Sequence, residues 1–125
     1  MNVQDEGQDV FTIERHGGIT VIVASPTLER MDPTLIEQAT EFLLKPLRTD
    51  AEPLIVVDLE AVDYFGSIFL AVLIRCWKQA TVKGGMMALA CVSERAKELL
   101  RVTSLDMIWP MYATRVEAVD ALLSD

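Results

Sequence analysis

Apolar and polar positions along this chain form segments of different kinds, and each kind predicts a different element. Val10–Glu14 alternates loosely and Ile19–Ala24 is rich in β-branched residues, so both predict strands. Gly17-Gly18 between them predicts a tight hairpin turn. Two continuous apolar runs, Leu54–Val57 and Met86–Val92, predict strands that are buried on both faces.

Helical segments lie between these strands and carry start and stop signals. Asp32-Pro33 suits a helix start, because aspartate caps free amides and proline fits the first turn. Apolar residues then recur on one helical face until Pro46, which is predicted to stop the helix. A second helix is predicted from about Ser67 to about Lys83, with Gly84-Gly85 as its terminator.

Shorter elements complete the predicted order. Ser93 is predicted to cap a short helix over residues 94–102, and Met107–Trp109 is predicted to form a brief final strand. Thr114 and Glu117 have the spacing of a capping box, which predicts a last helix. The order ββαβαβα(β)α predicts an α/β single domain with about four helices. Its sheet should be mixed and mostly parallel, with an antiparallel hairpin at the N-terminus.

Composition and charge narrow the class of protein. The chain has 125 residues, which predicts one domain over residues 10–125 after a flexible acidic N-terminus of residues 1–9. The net charge of −8 argues against binding to nucleic acid or to anionic membrane surfaces. Ile68–Ile74 and Met86–Val92, the longest purely apolar runs, have seven residues each, far below the roughly 20 that a spanning helix needs. We therefore expect a cytoplasmic protein that does not insert into membranes.

Residues that could carry out catalysis or hold a metal are sparse. His16, the one histidine, stands beside the predicted turn, where a solvated position is expected. Cys76 and Cys91 lie in apolar stretches, which predicts packing residues rather than a disulfide or metal site. Asp58 and Asp63 are the nearest approach to paired carboxylates, but their spacing equally suits capping and solvation. No phosphate-binding glycine motif is present. The chain therefore predicts a recognition module, not an enzyme, with no catalytic residue, metal or cofactor.

One segment, Pro53–Lys83, carries more information than the rest. It reads PLIVVDLEAVDYFGSIFLAVLIRCWKQATVK and resembles the STAS domain, the fold of bacterial anti-sigma factor antagonists. The family pattern is roughly V-x-D-L-x-x-V-x-x-x-D-S-[ST]-G-L-x-x-L. Without a gap, Asp58-Leu59 falls on its D-L and Gly66–Phe69 on its D-S-[ST]-G. Similarity continues in the V-S-x-x, L-L and L-D motifs of the family's C-terminal part, over residues 92–106.

The resemblance implies a role for Ser67. In the family, a partner kinase phosphorylates the first serine of D-S-[ST]-G, and Ser67 holds that position. Gly66, Ile68 and Phe69 depart from the family's aspartate, second hydroxyl residue and glycine. A serine at a helix start can also be an ordinary N-cap, and this alternative stays open beside the phosphoacceptor.

A helical wheel predicts which face of the second helix meets a partner. Ile68 and Val72 share an arc with polar Arg75 and Gln79, which predicts that both apolar residues are exposed beside Ser67. The alternative is that another helix covers them. The Ser25–Met31 turn is predicted to contribute as well. The predicted partner-binding residues are Tyr64, Phe65, Gly66, Ile68, Phe69, Val72, Arg75 and Gln79.

Three functions follow from these observations. The first is an anti-sigma factor antagonist, which binds an anti-sigma factor and serine kinase of the histidine-kinase-like ATPase type and is switched by phosphorylation of Ser67. The second is a STAS subunit of an ABC-type transporter or a larger signalling complex, in which the same surface grips a fixed partner without a switch. The third is a small-ligand binder that uses a crevice near Ser25 and Ser67. The sequence leaves a homo-oligomer open.

Overall fold

The protein is an α/β fold built on one five-stranded sheet. A computed structural model describes residues 10–30 and 32–124. The strands stand in chain order across the sheet, with β1 antiparallel to β2 and every later pair parallel. This confirms the predicted mixed sheet with its N-terminal hairpin, whereas the predicted flexible segment 1–9 lies outside the described residues. The strands are β1 (Phe11–His16), β2 (Ile19–Ala24), β3 (Leu54–Asp58), β4 (Met86–Ala90) and β5 (Met111–Tyr112).

The hairpin turn depends on its two glycines. Gly17 and Gly18 both have positive φ, 55° and 90°, the conformation that a two-residue hairpin of the mirror-image type requires. The turn pairs His16 with Ile19 and fixes the antiparallel register. His16 is exposed, as predicted, and its Nε2 lies 3.2 Å from Glu14 Oε1.

Four α-helices follow β2 in the described part of the chain. All four start where the sequence predicts, and in three of them the predicted cap residue accepts a hydrogen bond. Asp32 Oδ1 accepts from the Leu35 amide at 2.9 Å, and Ser93 Oγ accepts from the Ala96 amide at 3.1 Å. The Thr114 hydroxyl accepts from the Glu117 amide of the fourth helix at 3.1 Å. The helices are α1 (Pro33–Thr49), α2 (Ser67–Val82), α3 (Glu94–Val102) and α4 (Arg115–Leu123).

The sheet separates two hydrophobic layers. Ile22 and Val57 point into the larger core, which the first three helices share, and Val21 and Val56 point into a smaller core under α4. Adjacent residues of these strands are therefore buried on opposite faces, which explains their continuous apolar runs. Within residues 10–30 and 32–124, the helices are too short or too polar to cross a bilayer.

The prediction that Pro46 ends the first helix is wrong, because α1 continues to Thr49. Proline inside a helix costs about 3 kcal/mol, since it removes one hydrogen bond and crowds the preceding turn. Two contacts offset this cost. Leu47 is fully buried in the core, and the Lys83 ammonium group donates to the carbonyl oxygens of Leu47 at 3.2 Å and Asp50 at 2.9 Å.

The predicted final strand at Met107–Trp109 is also wrong. Leu105–Met107 forms a 3-10 helix, and the Trp109 amide still donates to the Leu105 carbonyl at 3.1 Å. Pairing with β4 begins only at Pro110, whose carbonyl accepts from Leu89 at 2.9 Å. Of the three residues, Trp109 is buried in the core, whereas Met107 and Ile108 are exposed.

Both cysteines are free thiols, as predicted. Cys76 is buried in the core, and this burial raises the pKa of its thiol to about 12. Cys91 is only half-buried, so the prediction of a packing residue holds fully for Cys76 alone.

Candidate functional site

The candidate site lies where β3 leads into α2. Gly66 is the N-cap of α2, and its carbonyl accepts the amide of Leu70 at 3.2 Å. Ser67 is therefore the first helical residue, and the alternative in which its side chain caps the helix is wrong. The side chain is exposed, and its hydroxyl has no hydrogen-bond partner among the described residues. This position presents the hydroxyl to solvent at the positive end of a long helix.

An open groove of about 310 Å³ adjoins Ser67. Its rim carries two exposed apolar side chains, Tyr64 at 39% and Ile68 at 43% exposure. Leu28 and Glu29, which belong to the 3-10 helix Pro26–Arg30, also line the groove. These two residues belong to the Ser25–Met31 turn, whose contribution to partner binding stays a prediction, while Met31 lies outside the described residues. We call Tyr64, Gly66, Ser67 and Ile68 the docking patch.

Three of the predicted partner-binding residues are buried instead of exposed. Phe65 and Phe69 are 3% and 2% exposed, and their rings meet edge to face at 4.9 Å. Phe69 also stacks on Phe11 at 5.9 Å. Val72 is 4% exposed and lies in the larger core. The prediction that Val72 is exposed is wrong, because α1 packs against this side of α2, and the alternative of a covering helix is correct for Val72.

The remaining two predicted residues lie farther along α2. Arg75 is exposed, and its Nη2 lies 3.4 Å from Glu41 Oε1 of α1. Gln79 is half-buried at the same junction of the two helices. Both residues therefore border α1. Of the two apolar residues predicted to be exposed on this arc, only Ile68 is exposed, on the first turn beside Ser67.

Asp63 is the anchor of the 59–66 loop, a role that the sequence did not indicate. Its backbone amide donates to Glu29 Oε2 at 3.3 Å, and its carbonyl accepts the Ser93 hydroxyl. Its Oδ2 pairs with Arg95 Nη1 at 3.0 Å. The Arg95 guanidinium also lies over the Tyr64 ring, 4.8 Å from its centroid. Two separate elements, the 3-10 helix and the start of α3, thus hold this loop beside the docking patch.

Asp58 belongs to a second ion-pair network. It is 3% exposed, and its Oδ2 accepts from Arg115 Nε at 2.9 Å while Oδ1 accepts the Glu60 amide at 3.0 Å. Arg115 also reaches Glu14 Oε1 at 3.0 Å. Burial alone would lower the pKa of Arg115, but the hydrogen bond and charge of Asp58, with those of Glu14, raise it. Because Asp58 and Asp63 pair with different arginines, they do not form a shared acid–base pair.

The side chains of Asp58, Glu60 and Cys91 come close enough together to suggest a metal site. Their ligand atoms lie within 4.8 Å of one another, the one such group in the described part of the chain. However, Arg115 already neutralises the Asp58 carboxylate. The pKa of the Cys91 thiol is raised by burial and by the charges of Asp58 and Glu60, which disfavours the thiolate that metals bind. The group is a poor metal site.

The fold and the site agree with one family. The model of the STAS domain matches residues 10–118, and the chain belongs to this family. The protein is similar to the anti-sigma-factor antagonist (STAS) domain protein of Planctomyces limnophilus, with 32% identity, a TM-score of 0.82 and coverage of 90% of this chain and 97% of that one. It is also similar to an anti-sigma factor antagonist of Mycobacterium paratuberculosis, with 26% identity, a TM-score of 0.73 and coverage of 90% and 92%.

A curated relative gives a more local match. A TM1081 homologue from Thermotoga neapolitana, which carries the name of an anti-sigma factor antagonist, is 34% identical to this chain over 67 residues. These residues make up 54% of this chain and 57% of the relative, so the match spans little more than half of that protein. The resemblance inferred from Pro53–Lys83 is thereby confirmed at the level of the family.

Proposed function

We propose that this protein is an anti-sigma factor antagonist of the cytoplasm, a binding protein without enzymatic activity of its own. Its partner is an anti-sigma factor that is also a serine kinase of the histidine-kinase-like ATPase type. The protein binds this partner through the docking patch. The observation that carries the proposal is the exposed Ser67 hydroxyl at the start of α2, beside exposed Ile68 and Tyr64. The resemblance of the sequence to the family motif implies that this serine holds the phosphoacceptor position.

The electrostatics of the groove explain how phosphorylation would act as a switch. Transfer of the γ-phosphoryl group of ATP forms an ester at Ser67 Oγ, releases ADP and adds about −1.5 to −2 charges. Glu29 already lines the groove, and Asp63 anchors the adjacent loop. The helix N-terminus tolerates the phosphate in the free protein, whereas a desolvated interface with a partner does not, so the modified protein is released.

The alternative readings receive less support. The transporter or complex subunit rested on apolar Ile68 and Phe69 at a permanent interface, but Phe69 is a core residue. The small-ligand reading needed Ser25 and Ser67 in one crevice. Ser25 Oγ instead lies 2.8 Å from Thr27 Oγ1, and the groove beside Ser67 is walled by Leu28 and Glu29.

The proposal is tested with the purified protein and the histidine-kinase-like ATPases encoded in the same genome. We expect one of them to form a complex in the presence of ADP, measured by calorimetry, and to add one phosphate in the presence of ATP, measured by intact mass. Ser67→Ala should abolish the mass increment, and Ser124→Ala, a control at another exposed serine, should keep it. The proposal fails if no ATPase of the set binds the unmodified protein.

Gly66→Asp is expected to accelerate phosphorylation of Ser67. The substitution restores the family's acid, and a Cβ built at Gly66 has no atom within 4 Å, so the fold should accept it. One charge-assisted hydrogen bond to the kinase contributes about 1.5 kcal/mol, which corresponds to a roughly tenfold higher rate at limiting substrate. Gly66→Asn is the matched control, because it keeps a good N-cap without the charge. Equal rates for the two variants would show that the kinase does not recognise the acid.

A further inference from the structure

Tyr64, the exposed aromatic residue of the docking patch, is held between two anchored neighbours. Asp63 on one side is fixed through its amide, its carbonyl and its carboxylate. Phe65 on the other side is buried against Phe69. The backbone on both sides of Tyr64 is therefore fixed, and the remaining freedom is that of its own side chain.

Arg95 restricts the motion of the Tyr64 side chain. One guanidinium group pairs with Asp63 Oδ2 at 3.0 Å and covers the Tyr64 ring at 4.8 Å. A planar guanidinium can pair with a carboxylate while it stacks on an aromatic face, whereas a lysine ammonium cannot do both equally well. Arg95 belongs to α3, so this contact joins two parts of the chain that are 31 residues apart at Tyr64 and Arg95.

The exposure of the Arg95–Asp63 ion pair argues against a role in the stability of the fold. The side chains of Arg95 and Asp63 are 66% and 62% exposed, and ion pairs that are exposed to this extent contribute little to folding. What the contact does fix is the orientation of an aromatic side chain on a binding surface. Aromatic residues with fixed side chains bind better, because less rotamer freedom is lost on binding.

The geometry points to Arg95 as a positioning residue, which holds the Tyr64 ring in the orientation that the protein partner meets. The first turn of α3 then supports partner binding by the docking patch, although no hydrogen bond among the described residues joins it to Ser67. This inference rests on the proposed function for the identity of the partner, but the orientation of Tyr64 is a property of the free protein.

The first test therefore uses the free protein and nuclear magnetic resonance. In the wild type, the Arg95 Hδ protons should be shifted upfield by the Tyr64 ring current. Arg95→Ala should increase the fast motion of the Tyr64 side chain, measured by relaxation of its labelled ring carbons. Arg101→Ala removes another exposed arginine of α3, which pairs with Glu98, and should leave Tyr64 unchanged. Unshifted Arg95 protons, or unchanged Tyr64 motion in Arg95→Ala, would overturn the assignment.

The second test is a double-mutant cycle with the histidine-kinase-like ATPase as the probe. Arg95→Ala should weaken binding roughly two- to fivefold, the range of an exposed cation–π contact. Arg95→Lys should restore part of the loss, and Tyr64→Phe, which keeps the ring face, should remain coupled to Arg95. In a Tyr64→Leu background, Arg95→Ala should have no further effect.

The outcomes of the cycle separate this inference from the proposed function. An equal loss from Arg95→Ala in both backgrounds would overturn positioning and show that Arg95 contacts the partner directly. If the wild type binds no ATPase, the proposed function fails, and the resonance measurements still decide whether Arg95 orients Tyr64.

Discussion

The Ile68→Asp variant is expected to lose binding to the anti-sigma factor ATPase while it stays folded. Ile68 is 43% exposed on the first turn of α2 and lines the groove beside Ser67. A carboxylate at this point removes an apolar contact and places a charge in a desolvated interface. A central interface residue contributes about 3 kcal/mol, so the affinity should fall roughly a hundredfold or more. Calorimetric titration with the ATPase measures the loss, and circular dichroism with thermal unfolding checks the fold.

Two further aspartate substitutions on the same helix make this result decisive. Val72→Asp puts an unpaired charge into the core, where Val72 is 4% exposed, and should unfold the protein, because the cost of about 4 kcal/mol or more approaches the total stability typical of a single domain. Val82→Asp changes an 83% exposed residue at the far end of α2 and should preserve both fold and binding. Unchanged affinity of Ile68→Asp would contradict the docking patch, and its unfolding would show that Ile68 is a core residue.

Elements that depend on local sequence were predictable. The hairpin needs two residues with positive φ, and Gly17-Gly18 supplies them in a row. Asp32, Ser93 and Thr114 each accept the amide three residues later. These are short-range preferences that the order of residues carries directly.

The error at Val72 has a different physical origin. Its arc on the helical wheel also holds Arg75 and Gln79, and polar residues there indicated solvent. The structure places the part of that arc from Val72 onward against α1, where Arg75 reaches sideways to Glu41 at the margin of the helix pair. A long polar side chain can border a buried contact while its charged end stays in water. Which helix covers which face is a long-range property that a single helical pattern does not contain.

The ion pairs of Asp63 and Asp58 could not be predicted either, because they also depend on long-range contacts. Asp63 pairs with Arg95 across 32 residues, and Asp58 pairs with Arg115 across 57. The sequence did indicate Asp58 as the end of a buried strand, and a buried carboxylate requires a cationic or hydrogen-bonding partner. It did not indicate which of the chain's 11 basic residues supplies that partner, because the topology of the sheet decides it.

The Gly85→Ala variant is expected to lose more stability than a glycine-to-alanine substitution at any other glycine named above. A Cβ at Gly85 would lie 1.9 Å from the Pro53 carbonyl oxygen, far inside van der Waals contact. That oxygen cannot move away freely, since it accepts the Met86 amide at 3.0 Å, next to the point where β3 and β4 begin their register with Leu54 opposite Met86. We expect a loss of about 3 kcal/mol or more in the free energy of unfolding, the upper range for overpacking. Denaturant titration measures this loss.

Gly66→Ala is the matched control, because neither Gly66 nor Gly85 requires a positive φ and a Cβ at Gly66 has no atom within 4 Å. Any penalty of left-handed backbone is thus absent from both variants, and their difference isolates the steric contact with Pro53. Alanine at the N-cap of α2 should cost about 1 kcal/mol at most. Similar losses in the two variants would mean that the start of β4 can shift away from Pro53. A much larger loss at Gly85 would show that the backbones of Pro53 and Gly85 lie too close for a side chain, at the point where the β3–β4 register begins.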